Sequence, residues 1–230
     1  MRLTWYGHAA FLLESGGAPE STRVVLDPYR APDVGTYAPI NDWADMVVTS
    51  HENEKYHSFV DGIQGRVDVH SPYLINGLDL LSQEQPKVIH SISFTATQVF
   101  ENEARERRIA MVGVAVDGIR TLHMGDCGHG LSAEETAACG QVDVLLALAG
   151  GPPTLLLPDL VAFIGALKPK IVVPMHFGND KINLSLQPLS EFLALLPQEL
   201  PVRYFDAPTV SLSPTDLPMS TEVWVLPPAR

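Results

Sequence analysis

Three short apolar segments of this chain are each followed closely by a side chain that can bind a metal ion or move a proton. They are residues 46–50 before His51, 119–124 before Asp126, and 171–173 before His176. Short apolar runs predict buried strands, and α/β proteins build their sites where such strands end. A lone residue of this kind is more often a hydrogen-bonded structural group. Three of them in one chain predict a shared pocket.

The first half of the chain has a mainly β pattern, and the second half alternates strands with helices. The predicted strands are 2–6, 9–13, 23–26, 46–50, 67–69, 88–100, 109–116, 119–124, 142–148, 171–173, 202–205 and 222–226. The predicted helices are 59–63, 132–139, 158–167 and 189–196, and turns are predicted at 16–19, at Asn76-Gly77 and at Asp117-Gly118. Buried apolar strands with helices between them predict sheets covered by helices.

Composition limits the classes of function. A chain of 230 residues with 46% hydrophobic and 18% charged residues is typical of a compact globular protein, and we expect one domain over residues 1–230. The net charge of −12 argues against nucleic acid and anionic membrane as partners, but a small anionic substrate and a homo-oligomer are left open. Two cysteines and the lack of a secretory signal predict free thiols and a cytoplasmic location.

Several short motifs, in this order and at these spacings, carry a resemblance to a known family. They are Trp5-Tyr6-Gly7-His8-Ala9-Ala10-Phe11, Leu26-Asp27-Pro28-Tyr29, Thr49-Ser50-His51, His123-Met124-Gly125-Asp126-Cys127-Gly128-His129, Val142-Asp143-Val144-Leu145-Leu146 and the segment 168–176. Over about residues 1–206 the chain resembles the metallo-β-lactamase superfamily, most closely the small bacterial metal-dependent hydrolases that include ascorbate-6-phosphate lactonase. The resemblance implies an α/β fold, an αββα sandwich of two β-sheets flanked by helices, with the site at one sheet edge.

The metal-binding pattern implied by the resemblance is present only in part. The loop that should read H-x-H-x-D-H reads His51-Glu52-Asn53-Glu54-Lys55-Tyr56, so that Asn53, Lys55 and Tyr56 replace three ligands. Phe100 occupies the place of a further histidine, whereas Asp126 and His176 match the family. Phenylalanine cannot ligate, and lysine brings a positive charge to the place of a metal. Ligand counting therefore predicts that the usual two-metal site does not form.

Other residues are candidates for a rearranged site. His57 or His129 could join one remaining metal, and four glutamates of the two charged loops, Glu101 among them, could supply oxygens. His8 and Asp27 match family positions that orient ligands. We expect the Lys55 ammonium to stand in for a metal beside Asp126, with Tyr56 packed near His176. The segment 101–108 is expected to form a rim over the pocket, with Arg105, Arg107 and Arg108 facing an anionic group.

Our first hypothesis is a metal-dependent hydrolase in which His51, Asp126 and His176 hold one zinc, manganese or iron ion. Small lactones, esters or phosphorylated molecules are the substrates that the resemblance implies. Two alternatives are open. One is a non-catalytic member of the fold that binds a small molecule or a partner, without a metal. The other is metal-free acid–base chemistry by Lys55, Tyr56 and the histidines.

Overall fold

The structure is a computed structural model that describes residues 1–16, 21–66 and 70–230. The predicted strand 67–69 and most of the predicted turn 16–19 lie outside the described residues. Within the described ranges the chain forms two mixed β-sheets, of six and eight strands, and four short α-helices. None of the described helices is both long and apolar enough to cross a membrane.

The six-stranded sheet is built almost entirely from the first third of the chain. Its strands are β1 (Arg2–Gly7), β2 (Ala10–Glu14), β3 (Arg23–Leu26), β4 (Met46–Thr49), β5 (Tyr73–Asn76) and β13 (Thr209–Ser211), in the order β13-β1-β2-β3-β4-β5. β1 pairs antiparallel with β2, and β2 with β3, whereas β3, β4 and β5 run parallel to one another. Parallel pairing sends the ends of β3 and β4 to the same edge of the sheet.

The eight-stranded sheet combines an antiparallel and a parallel part. Its strands are β6 (Lys87–Ile89), β7 (Ile92–Phe100), β8 (Arg108–Val116), β9 (Ile119–His123), β10 (Val144–Leu148), β11 (Ile171–Met175), β12 (Val202–Tyr204) and β14 (Glu222–Val225), in the order β12-β14-β11-β10-β9-β8-β7-β6. β9, β10 and β11 are parallel neighbours. Every residue of β10 and β11 is buried, which explains their continuous apolar sequence.

The helices are α1 (Gly77–Leu80), α2 (Ala133–Ala138), α3 (Leu157–Leu167) and α4 (Leu189–Ala194), with a 3₁₀ turn at Val60–Gly62. The capping box of α2 begins at Ser132, whose hydroxyl accepts a hydrogen bond from the Glu135 amide at 3.1 Å. α2 contacts both β7 and α3, so these two helices lie against the eight-stranded sheet. Leu160 and Phe163 of α3 join the main core.

The main core lies between the two sheets. It joins Phe11 and Val48 of the first sheet to Phe94, Met111 and Leu146 of the second, all of them buried. The sequence predicted that helices cover both sheets. On the outer face of the six-stranded sheet, a loop that contains Tyr29, Val34 and Tyr37 packs in place of a helix. The predicted α/β sandwich of two sheets is confirmed.

Two local predictions were wrong. Asn76-Gly77 is not an isolated tight turn but the start of a helix: Asn76 caps α1, and its side-chain oxygen accepts a hydrogen bond from the Leu78 amide at 3.0 Å. The predicted strand 88–100 is two strands, because the chain turns at His90-Ser91, where φ is 48° and 65°. The sequence pattern hides this turn, since neither residue is a glycine. At Asp117-Gly118 both φ angles are positive, as the predicted type I′ turn requires.

Candidate functional site

The ends of strands from both sheets meet at one edge of the sandwich and bring the three predicted residues together. Nε2 of His176, which follows β11, lies 3.5 Å from Oδ1 of Asp126, which comes soon after β9. Nε2 of His51, just past β4, lies 4.0 Å from Oδ2 of the same carboxylate. The predicted convergence of His51, Asp126 and His176 is therefore confirmed, although up to 125 positions separate them in sequence.

His57 is the fourth member of this cluster and lies at its centre. Its ring is fully buried, and Nε2 lies 2.8 Å from Oδ2 of Asp126. His57 is six positions after His51, one more than the H-x-H-x-D-H spacing allows. The backbone carbonyl of Asn53 accepts hydrogen bonds from the amides of residues 56, 57 and 58, and the last of these closes a turn one residue wider than that of an α-helix. This wide turn absorbs the extra residue, so that His57 takes the place we had assigned to Tyr56.

Asp27 fixes the orientation of His57 from behind. Its Oδ2 lies 2.8 Å from Nδ1 of His57, and its two oxygens accept hydrogen bonds from the Ser50 amide at 2.7 Å and the Ser50 hydroxyl at 2.6 Å. The Ser50 oxygen also lies 2.9 Å from Nδ1 of His51. Since the hydroxyl proton is donated to Asp27, Nδ1 of His51 carries a proton and Nε2 keeps its lone pair towards the cluster. Both histidines are thereby oriented as metal ligands are.

His8 completes a group of three buried histidines. The nitrogens of His8, His57 and His176 include a set that lies within 4.8 Å of one another, and the His8 and His176 ring centroids are 4.5 Å apart. Neither nitrogen of His8 forms a hydrogen bond with any residue that the structure describes, although His8 is completely buried. A second group within the same distance joins His51, His57 and Asp126. The two groups share His57.

Three residues of the site have a left-handed backbone conformation that is uncommon for residues other than glycine. The φ angles of His8, Asp27 and His176 are 49°, 42° and 52°. Each residue comes at the end of a strand, and the His176 amide donates a hydrogen bond to the His8 carbonyl at 3.1 Å, which ties the two sheets together. Such conformations cost about 1–3 kcal/mol each and tend to persist where function requires them.

Burial keeps most of these imidazoles neutral. Burial and the neighbouring His176 and His57 hold the pKa of His8 well below its usual range. Burial and His57 lower the pKa of His51 to about 4, and burial likewise lowers the pKa of His176. Neutral imidazole is the form that binds a metal ion.

His57 and Asp126 behave in the opposite way. Burial alone would lower the pKa of His57, but the Asp126 and Asp27 carboxylates raise it to about 10. Burial alone would raise the pKa of Asp126, but His57, His176 and His51 hold it well below its usual range. Without a metal, an imidazolium and a carboxylate therefore form a buried ion pair.

The donor set fits a divalent metal ion. Across residues 1–16, 21–66 and 70–230, the buried atoms without a hydrogen-bond partner include Nε2 of His51, Nε2 of His57 and Oδ1 of Asp126. Although Nε2 of His57 is only 2.8 Å from Asp126, the two groups lack hydrogen-bond geometry, as expected for side chains directed at a common point. Imidazole nitrogen and carboxylate oxygen are ligands for zinc, manganese and iron.

Lys55 does not occupy the position that we expected. Lys55 is exposed and, within the described chain, makes no ion pair with Asp126, so its proposed role as a substitute for a metal charge is wrong. His57 provides the positive charge in its place. Tyr56 packs on His8, with ring centroids 5.9 Å apart, and the His8 ring in turn lies 4.5 Å from that of His176. Asn53 contributes its backbone carbonyl to the wide turn and lines a neighbouring surface cavity.

His129 and Arg105 are held away from the cluster. Nε2 of His129 accepts a hydrogen bond from the Phe100 amide at 3.1 Å, and its Nδ1 lies 2.8 Å from the Gly130 carbonyl. Both nitrogens are thus engaged, which contradicts its suggested role as a metal ligand. The Arg105 guanidinium pairs with Glu135 at 2.6 Å and packs over the Phe100 ring. Arg105 therefore supports α2 and does not face the pocket.

The remaining rim residues do border the site. A surface cavity of about 500 Å³ adjoins His51 and is lined by His51, Glu52, Asn53, Leu78, Glu101, Arg107, Arg108 and Ile109. Nε of Arg107 forms an ion pair with Oε2 of Glu101 at 2.7 Å. Arg108 is exposed and has no ion-pair partner among the described residues. The cavity gives a small molecule access to one face of the histidine cluster.

The central role of His57 and the contribution of Ser50 were the main features that the sequence did not indicate. His57 stood among the alternatives, but nothing in a single sequence distinguishes it from an exposed histidine. Its importance depends on contacts with Asp27 and Asp126, which lie 30 and 69 positions away.

Comparisons with known proteins agree with this architecture. A sequence family described as the β-lactamase superfamily domain matches residues 2–176. A UPF0173 protein of Pyrococcus abyssi is 25% identical over 186 residues, covering 77% of this chain and 84% of that protein. A UPF0173 metal-dependent hydrolase of Archaeoglobus fulgidus is also 25% identical, over 198 residues, with the same two coverages.

A solved structure from Thermotoga maritima has the same fold. That protein is described as a candidate Zn-dependent hydrolase of the metallo-β-lactamase superfamily, and it superposes with a TM-score of 0.73 and 24% identity over 98% of this chain and 97% of that one. The narrower resemblance to the branch with ascorbate-6-phosphate lactonase stays a prediction. The match over residues 2–176, together with this fold, shows that the chain belongs to the metallo-β-lactamase superfamily.

Proposed function

We propose that this protein is a metal-dependent hydrolase that acts on a small ester, lactone or phosphorylated molecule. The supporting observation is the set of buried nitrogen and oxygen atoms of His51, His57 and Asp126 that lie within 4.8 Å of one another and form no hydrogen bond with any described residue. Buried polar atoms without partners are costly, and a metal ion would satisfy them. The metals that suit these ligands are zinc, manganese and iron.

The residues have separate roles in this proposal. His51, His57, Asp126 and His176 would hold the ion, with His8 beside them. A divalent ion bound there would act as a Lewis acid and lower the pKa of a water molecule. Asp27 and Ser50 keep Nε2 of His57 and His51 turned towards the ion by binding the opposite ring nitrogens.

The cavity beside His51 supports a small substrate. Its volume of about 500 Å³ lies within the range of small-molecule sites. The exposed cations Arg107 and Arg108 at its edge favour a substrate with an anionic group, despite the net charge of −12 of the whole chain.

Metal content and hydrolysis test this proposal together. Protein purified without added metal is analysed for zinc, manganese and iron, and ester, lactone and phosphate-ester substrates are then assayed with and without chelator. His51→Ala should lose metal and activity, whereas the matched control His70→Ala, at an exposed histidine, should lose neither. A wild-type protein with less than about one tenth of an equivalent of metal and no uptake on titration would contradict the proposal.

A second candidate function is binding without catalysis. The observation that favours it is the 2.8 Å ion pair of His57 and Asp126, in which the imidazolium balances the charge of the carboxylate without a metal. In that case the folded protein takes up no metal, and substitution of His57 destabilises it.

A further inference from the structure

The end of β7 places a carboxylate where a histidine was expected. Phe100 occupies the sequence position of the family's further histidine, but its ring faces away from the site. The Phe100 ring centroid is 6.0 Å from that of His129, and the Arg105 guanidinium lies over its face. The side chain directed at the cluster belongs to the next residue, Glu101.

Glu101 lies close enough to His51 for the two side chains to share one ion, but its oxygens lie outside the two groups of donor atoms around His57. A rotation of the Glu101 side chain would therefore bring it to an ion held there. Its Oε1 is 3.9 Å from Nε2 of His51, almost the same distance as Oδ2 of Asp126, at 4.0 Å. Two ligand atoms that each lie about 2.1 Å from one ion are about 3.4–4.2 Å apart, depending on the angle between them. The side chain of Glu101 is only 14% exposed, although the loop that follows it is solvent-exposed.

The backbone around Glu101 is held firmly against the Asp126 loop. The Phe100 carbonyl accepts a hydrogen bond from the Gly128 amide at 2.9 Å, and the Glu101 amide donates to the Arg107 carbonyl, also at 2.9 Å. A Cβ atom on Gly128 would clash with the Glu101 carbonyl oxygen, so this approach requires glycine. Oε2 of Glu101 forms an ion pair with Nε of Arg107 at 2.7 Å, and Oε1 lies towards His51.

We propose that Glu101 is a metal ligand that replaces the family's histidine at the end of β7, and that Arg107 is a positioning residue that directs its free oxygen at His51. This inference rests on the proposed function, since it requires a metal at the site. It also adds a second carboxylate ligand beside His51, which then faces both Glu101 and Asp126. Carboxylate ligands favour manganese relative to an all-imidazole set.

Metal affinity of isosteric variants tests the role of Glu101. Zn²⁺ affinity is measured by competition with a chromophoric chelator for the wild type, for Glu101→Gln and for Glu103→Gln, an exposed glutamate of the same loop as matched control. We expect Glu101→Gln to weaken Zn²⁺ binding by about tenfold or more, since even residues behind the ligands contribute about 10–100-fold. Glu103→Gln should bind as the wild type does, and a thermal melt checks that each variant is folded.

A second variant distinguishes a metal ligand from a residue with a purely structural role, because only replacement of a ligand changes the metal preference and the Co²⁺ spectrum. Glu101→His restores the imidazole, so it should bind Zn²⁺ well and shift the ratio of Zn²⁺ to Mn²⁺ affinity towards Zn²⁺. The visible spectrum of the Co²⁺-loaded protein should change in Glu101→Gln and Glu101→His but stay the same in Glu103→Gln.

The outcomes separate this inference from the proposed function. If the wild type binds Zn²⁺ and folded Glu101→Gln binds it equally, with the same Co²⁺ spectrum, Glu101 is not a ligand and the metal-dependent function stands. If the wild type binds neither Zn²⁺, Mn²⁺ nor Co²⁺, both proposals are overturned.

Discussion

The His57 ring is held between two carboxylates, with Nδ1 2.8 Å from Asp27 and Nε2 2.8 Å from Asp126. This arrangement raises the pKa of His57 to about 10, against the effect of burial, so the metal-free protein keeps the ring protonated at neutral pH. A ligating imidazole must be neutral at the nitrogen that binds the metal. Metal and proton therefore compete for the same nitrogen.

The first prediction is that metal binding releases a proton from His57. Between about pH 7 and 9, uptake of Zn²⁺ should release about one proton per ion, because the pKa of His57 lies near 10. Isothermal titration calorimetry in buffers of different ionisation enthalpy measures this number. His57→Gln should bind Zn²⁺ more weakly and release about one proton fewer. Equal proton release by the variant would show that the proton comes from elsewhere.

The second prediction concerns Asp27, which touches no metal itself. Asp27→Asn should reduce metal affinity by about 10–100-fold, because the amide orients His57 less strongly than the carboxylate does. Ser50→Ala removes the hydroxyl that binds Asp27 and Nδ1 of His51, and its effect should be smaller. Competition with a chelator measures the metal affinity of both variants. Unchanged affinity in Asp27→Asn would mean that packing alone orients His57.

The third prediction is a narrow pH optimum of stability for the metal-free protein. With its pKa lowered to about 4, His51 stays neutral in the folded state while the unfolded chain takes up a proton below about pH 6.5, so stability falls as the pH decreases from 6.5 to 4. This shift corresponds to about 3 kcal/mol for His51. The sign is opposite for His57, whose raised pKa makes stability fall as the pH rises from 6.5 towards 10.

Urea unfolding of the metal-free protein between pH 4 and 10 checks this optimum. The free energy of unfolding should be greatest near pH 6.5 and decrease on both sides. His51→Gln should make the decline on the acid side less steep and leave the basic side unchanged, since glutamine does not titrate whereas His8 and His176 still do. A stability that is constant from pH 4 to 6.5 in the wild type would contradict the assignment of His51 as a buried neutral ring.

The fourth prediction is that Arg108, but not Arg105, contributes to anion binding at the cavity. Arg108→Ala should weaken inorganic phosphate binding to the metal-loaded protein several-fold, about 1 kcal/mol, because the exposed guanidinium borders the cavity. Arg105→Ala should leave phosphate affinity unchanged, since Arg105 pairs with Glu135. The phosphate dissociation constants of the two variants, compared with that of the wild type, test this prediction. Equal weakening in both variants would mean that only the overall charge matters.

The sequence by itself determined the fold and the general location of the site. Apolar runs such as those of β10 and β11 can only be buried, and the polar residue after each run must then lie at a sheet edge. His51, Asp126 and His176 were predicted from this local pattern, and so was the hairpin at Asp117-Gly118. These features depend on neighbouring residues in the chain, which a sequence displays directly.

Only the tertiary structure decided which loop residues face the site. The wide turn on the Asn53 carbonyl moves His57 inwards and leaves Lys55 in solvent. The contact of Gly128 with the end of β7 turns Glu101 towards His51. Each of these choices depends on hydrogen bonds and close approaches between segments far apart in the chain. A one-residue change in the register of an irregular loop leaves almost no trace in local sequence patterns, whereas the three-dimensional contacts determine it.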